Sequence, residues 1–115
     1  KKGATFLAVI SNDAWWGETP GHKQLISYTR LRAIENRRDI VRSANTGISA
    51  IIDARGEIIK KTRYDTKTLL TGNISSRSKL TFYTRYGDII ARWSILIAII
   101  YFLLAVSGRL KDKAI

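Results

Sequence analysis

The chain has 115 residues, 20 Lys plus Arg against 9 Asp plus Glu, a formal net charge of +11, one histidine and no cysteine. That inventory excludes a thiolate nucleophile and disulfides. With no metal-ligand cluster and no Gly-rich phosphate loop, it also leads us to expect neither a metal nor another cofactor. The basic residues are scattered singly and in pairs, Arg37-Arg38 and Lys60-Lys61, rather than set along one face, so no nucleic acid is expected and anionic membrane lipid is the favoured partner.

In chain order, Ala4 to Ser11 is a short apolar run ending in polar turn residues, which predicts a buried central strand. Thr19 is placed to cap a helix with Pro20 in its first position, running to about Asn36. Leu25, Tyr28, Leu31 and Ile34, with Ile26 beside them, form an apolar stripe expected to pack on a sheet, while Lys23, Arg30, Arg37 and Arg38 fall on a solvated face. Ile40 to Ala44 predicts a second strand, Asn45-Thr46-Gly47 a tight turn, and Ile48 to Asp53 a third strand. Asp53-Ala54-Arg55-Gly56 is a turn with glycine where a positive φ is easily met, returning through a fourth strand, Glu57 to Thr62. Leu69 to Ile74 reads as extended and Ser75 to Lys79 as a linker. The pattern is that of half of a layered α/β sandwich.

The residues from Trp93 to Gly108 carry no charge. Alone they reach about 24 Å as a helix, but from Ile89 to Leu110 the helix is about 33 Å long, enough to cross a bilayer if Arg92 and Arg109 snorkel to the headgroups. A transmembrane helix over residues 89–110 is therefore expected, with Trp93 at an interface. The tail, residues 111–115, is expected in the cytoplasm because Arg109, Lys111 and Lys113 outweigh Asp112, and residues 1–88 then lie on the other side. A domain of that size buries only about 60–65% of its unfolded surface, which makes it marginal by itself.

The densest motif is Ser11 to Gly17, SNDAWWG. Two adjacent tryptophans beyond a strand end are not both expected to point inward: at least one is read as the rim of a lipid-accessible cleft, the alternative being that both close over their own core. Asp13 is expected to bond backbone amides of its loop and Glu35 to pair with a neighbouring arginine. His22 reads as a surface residue or one lying behind a site rather than a base. A Ser11, His22, Asp13 set lacks any nucleophile-elbow pattern.

SNDAWWG, with RLRAIEN (30–36), RSANTGISAIID (42–53) and LTFYTRYGD (80–88), resembles the apolipoprotein N-acyltransferase family, membrane enzymes whose catalytic domain has the nitrilase fold. Essentially the whole chain is covered, and Trp16, where the family often has phenylalanine, is a mild departure. The resemblance implies part of a nitrilase-like α-β-β-α sandwich (residues 1–88) followed by one C-terminal transmembrane helix. It implies that a cysteine thiolate takes a fatty acyl group from a phospholipid as a thioester, which then acylates the terminal amine of an apolipoprotein. The Glu-Lys-Cys triad of that family matches nothing here and is expected upstream of Lys1, so the segment alone is expected to be inactive. What remains is the cleft wall: Asn12, Asp13, Trp15 and Trp16, with Asn45, Thr46 and Gly47 shaping the same pocket. The implied setting is a multi-pass, monomeric protein of the bacterial inner membrane with its catalytic domain in the periplasm. Two alternatives stay open at the level of sequence, a membrane-anchored nitrilase-like amidase and a non-enzymatic basic lipid-binding module.

Overall fold

The computed structural model describes residues 2–112, and side chains through residue 108. The last three residues of the expected cytoplasmic tail, 113–115, lie outside the described residues. The chain divides into two compact units, residues 1–85 and 86–115.

The first unit is a four-stranded mixed sheet with one long helix. In chain order its elements are β1 (Leu7–Ser11), a 3-10 turn (Ala14–Trp16), α1 (Gly21–Asn36), β2 (Ile40–Ala44), β3 (Ala50–Ile52) and β4 (Ile58–Lys61). Strand order is β1-β2-β3-β4, with β1 parallel to β2 and the remaining pairs antiparallel. The parallel pair requires a crossover connection, which α1 supplies. The expected central strand is thus an edge strand of this sheet. Its burial alternates, and Ile10 is 91% exposed. Leu7 and Val9 share a face with Ile40 and Arg42 and pack toward α1, whereas Ala8 and Ile10 point to the opposite face.

α1 starts at Gly21 with Pro20 rather than Thr19 in the cap position, one residue later than expected. The Gly21 amide donates to Thr19 Oγ1 at 3.4 Å, and the Lys23 and Gln24 amides donate to the Pro20 carbonyl. The buried face does not follow the apolar stripe. It consists of His22, Ile26, Thr29 and Ala33, while Tyr28, Leu31 and Ile34 are exposed. What the sheet presents decides this: Arg42 on β2 needs a polar partner, and its Nη1 donates to Thr29 Oγ1 at 3.2 Å. Arg38 is likewise buried rather than solvated. The core is small, with Ile26 and Ala33 set against Ile40, Ala50 and Ile52.

The β3–β4 hairpin forms at Asp53 to Gly56 as expected. Gly56 has φ +82°, and its amide donates to the Asp53 carbonyl at 2.9 Å. The Asp53 carboxylate accepts the Arg55 and Glu57 amides at 2.9 and 2.8 Å. Partial burial pushes this carboxyl upward, but those two amides and the Arg55 guanidinium outweigh it and hold Asp53 below its ordinary value.

Residues 69–74 join no strand. Gly72 instead lies directly against Ile51. The expected linker is a strap pinned to the first unit: the Ser75 amide donates to Asp39 Oδ2 at 2.7 Å, and the Arg77 amide to the Thr5 carbonyl at 3.1 Å. It continues into α2 (Phe82–Tyr86), where Thr81 Oγ1 donates to the Glu35 carbonyl and Thr84 Oγ1 to Asn36 Oδ1. The RAIEN and LTFYT segments, joined by bonds that span 46 and 48 residues, therefore meet at the C-terminal end of α1. Within α1, Glu35 pairs with Arg32 at 2.6 Å, as expected.

The second unit is dominated by α3 (Ile89–Asp112), 24 residues or about 36 Å. Its Ala91 amide is capped by Asp88 Oδ1 at 2.9 Å. Ile89–Gly108 is long and apolar enough to cross a membrane, and none of it is buried among the described residues.

Candidate functional site

The residues singled out in SNDAWWG and ANTG are brought together at one end of the sheet. β1 and β2 are parallel neighbours, so the loops beyond Ser11 and Ala44 emerge side by side at their C-terminal ends, the place where open α/β sheets hold ligands. The two loops are joined by hydrogen bonds. Asn45 Oδ1 accepts the Asp13 amide at 3.0 Å, and Asn45 Nδ2 donates to Asn12 Oδ1 at 2.7 Å. Asn12 Oδ1 also accepts the Ala14 amide at 3.3 Å, opening the 3-10 turn. Thr46 donates to Asn45 Oδ1, and the Thr46 carbonyl receives the Asp65 amide at 2.7 Å.

Beneath this layer sits Asp13, fully buried. It accepts no loop amide among the described residues. Its two carboxylate oxygens take Arg42 Nη2 at 3.0 and 2.8 Å, and Ser11 Oγ donates to Oδ1. Arg42, itself buried, reaches Thr29 Oγ1 with Nη1 and the Ile48 carbonyl with Nε. A buried charge pair is tolerated only when its remaining donors and acceptors are met, and here they are met by α1, β1 and the loop after β2. Gly47 closes the arrangement, since a Cβ at this position would overlap the Asp13 carboxylate. Asp13 and Gly47 thus form the floor of the site and Asn12, Asn45 and Thr46 its knitted surface.

The tryptophans project from this platform. Trp15 is 86% and Trp16 50% exposed, so neither closes over the core of this unit. The Trp16 ring lies against Gly21 at the start of α1, where a Cβ would collide with it. Gly17, at φ +53°, turns the chain away behind the two indoles.

His22 is not on the surface. It is buried, its ring lies 4.5 Å from that of Tyr64, and its Nδ1 has no hydrogen-bond partner among the described residues. No described hydrogen bond joins it to Ser11 or Asp13. Sequence reasoning missed Arg42 and Thr29 as supports of this site and Tyr64 as the partner of His22. Only Arg42 left a signal, as a charged residue inside an otherwise apolar strand pattern. Among the described residues no group of three His, Cys, Asp or Glu is placed to hold a metal.

Comparison with known proteins puts this geometry in a family. Residues 1–81 match the model of the carbon-nitrogen hydrolases. The chain is similar to the apolipoprotein N-acyltransferase of Geobacter metallireducens, 44% identical over 91 residues, and to that of Chlorobaculum tepidum, 38% identical over 90 residues. It is also similar to apolipoprotein N-acyltransferase 2 of Leptospira interrogans, 39% identical over 112 residues. These matches cover 79, 78 and 95% of the chain but only 18, 17 and 19% of the relatives, so the chain spans about a fifth of their length. The matched region holds the sheet, α1 and both knitted loops, and the chain belongs to the carbon-nitrogen hydrolase family.

Proposed function

We propose that this chain forms part of the wall of an acyl-transfer site in a membrane N-acyltransferase acting on lipoproteins. The observation that carries the reading is the pair of loops locked by Asn12–Asn45 and Asp13–Arg42, presenting Trp15 and Trp16 as an apolar rim, in a chain similar to relatives of that name. An indole rim suits a substrate with acyl chains, because it offers a broad apolar surface with a polar edge. A small polar amide substrate has no use for such a rim.

In this reading a cysteine thiolate, outside these residues, attacks the ester carbonyl of a phospholipid. A carbon–sulfur bond forms, the ester C–O bond breaks, and lysophospholipid leaves with a proton. The terminal amine of the lipidated acceptor then attacks the thioester, the amide forms, and the thiol is released. Splitting the transfer in two replaces one difficult step with two easier ones. This chain contributes the rim formed by Trp15 and Trp16, and a floor whose charge is neutralised internally, so that the cleft is not disturbed by an unpaired carboxylate. Residues 1–88 serve as part of the catalytic domain, facing the periplasm of the inner membrane, and residues 89–110 as a span. The chain without the upstream triad is inactive.

The test is a single-turnover reaction of the full-length protein with phospholipid and no acceptor. The expected result is one equivalent of lysophospholipid and a protein heavier by one acyl group, both reduced about tenfold or more by Trp15→Ala and restored by Trp15→Phe. Ammonia release from small amides, without acylated protein, would replace this reading with an amidase.

A further inference from the structure

The opposite end of β2 carries a concavity, which the acyl-transfer reading does not use. Asn45 follows the last residue of β2 and Arg38 lies two residues before its first, so the two features are separated by a strand of five residues, about 16 Å. The groove has a volume of about 590 Å³ and is lined by Arg37, Arg38, Leu80, Thr81 and the strap residues 76–79, Ser-Arg-Ser-Lys. Four of its eight lining residues are cationic and none is acidic. The nearest carboxylate, Asp39, accepts the Ala54 and Ser75 amides and sits 3.8 Å from Arg77, so it offsets only part of that charge.

Arg38 is the group that makes this more than a basic surface. It is 4% exposed, and its position is fixed by backbone carbonyls: Nε donates to Ala4 at 3.0 Å, and Nη1 to Asn36, Arg37 and Lys79 at 3.3, 3.2 and 2.9 Å. Its Nη2 has no protein partner among the described residues. A guanidinium held rigidly with one nitrogen unused is preorganised for an oxyanion, and the planar fork of arginine matches phosphate oxygens better than an ammonium does. Arg77 and Lys79, on a strap anchored through the Ser75 and Arg77 amides, add further positive charge, and Ser76 and Ser78 add hydroxyl donors.

We infer that the groove between Arg38 and the 76–79 strap is a binding site for a phosphate oxyanion, supplied either by a phospholipid headgroup or by free phosphate. Its volume lies in the range of small-ligand sites, large enough for a glycerophosphate group. The inference concerns binding and stands apart from the acyl-transfer chemistry.

The experiment is calorimetric titration of the full-length protein in detergent with dihexanoyl phosphatidylglycerol and, separately, with inorganic phosphate. Wild type is expected to bind the lipid, and Arg77→Gln with Lys79→Gln to weaken that binding about tenfold or more, while Arg63→Gln, outside the groove, leaves it unchanged. Competition by inorganic phosphate at the same site identifies free phosphate as a ligand, and its failure to compete identifies the lipid headgroup. Lys79→Gln alone, whose side chain makes no described hydrogen bond, covers the case in which the double variant does not fold, and should still weaken binding several-fold. Binding of neither probe by wild type, or equal binding by wild type and the groove variants, would overturn the inference.

Discussion

The knitted loops beyond β1 and β2 and the helix α3 invert the ordinary rule of protein interiors in opposite directions. At the sheet end, the most buried side chains include a carboxylate and a guanidinium, Asp13 and Arg42. Along α3, Ile, Leu, Phe and Trp side chains stand in the open, with Trp93 at 60% and Phe102 at 67% exposure. The difference teaches that burial here follows partners rather than polarity. Asp13 and Arg42 can be buried because each satisfies the other, whereas the apolar side chains of α3 are not buried among the described residues and are suited to lipid.

Breaking that contrast at the sheet end should have the largest effect. Arg42→Ala leaves the Asp13 charge buried without a partner and is expected to cost about 3–5 kcal/mol of stability, read by chemical denaturation of the full-length protein. Asp13→Leu combined with Arg42→Met should recover much of that loss, because the burial penalty of both charges disappears together. If each single variant is as stable as wild type, the pair does not organise this end of the sheet.

At α3 the contrast is broken by adding a charge. Ile99→Asp is expected to disfavour membrane insertion by about 2.5–3.5 kcal/mol, measured as loss of the carbonate-resistant membrane fraction in a reporter fusion carrying this span alone. Unchanged insertion would mean that residues 89–110 do not span.

A smaller effect sharpens the floor of the site. Gly47→Ala drives a methyl into the Asp13 carboxylate and should destabilise by about 1–3 kcal/mol, while Thr46→Ala, on the knitted surface, should lower stability by less than half of that.

The smallest effect is a titration. The folded Asp53 carboxyl is held below its unfolded value, so its contribution is fully present above the unfolded carboxylate range, near pH 4, and is lost as pH falls through the lower folded value. Asp53→Asn should flatten the stability profile below about pH 4 and leave its slope above pH 5 unchanged.

What could be read from sequence was what local chemistry decides. The hairpin at Asp53 to Gly56 needs only a turn glycine and an aspartate that bonds the next amides, and it formed where expected. The start of α1 is equally local and falls at Gly21, one residue later than expected. The buried face of α1 was not legible, because it depends on Arg42 meeting Thr29 and on Tyr64 meeting His22 across the fold. The apolar stripe of Tyr28, Leu31 and Ile34 was the stronger pattern, yet it lies outside. The candidate site was legible as two motifs, SNDAWWG and ANTG, but the bonds joining them span 32 to 34 residues and are set by strand pairing. Whether Asp13 would be rim or floor could not follow from spacing, because the partner that buries it lies on another strand.

The central claim is acyl transfer to an amine. It is tested most directly by incubating the full-length protein with phospholipid and a diacylglyceryl-cysteine peptide bearing a free terminal amine, then weighing the products. The account predicts a peptide heavier by one fatty acyl group, with an equal amount of lysophospholipid. An unchanged peptide, with an active protein instead releasing ammonia from a small amide or nitrile, would contradict it.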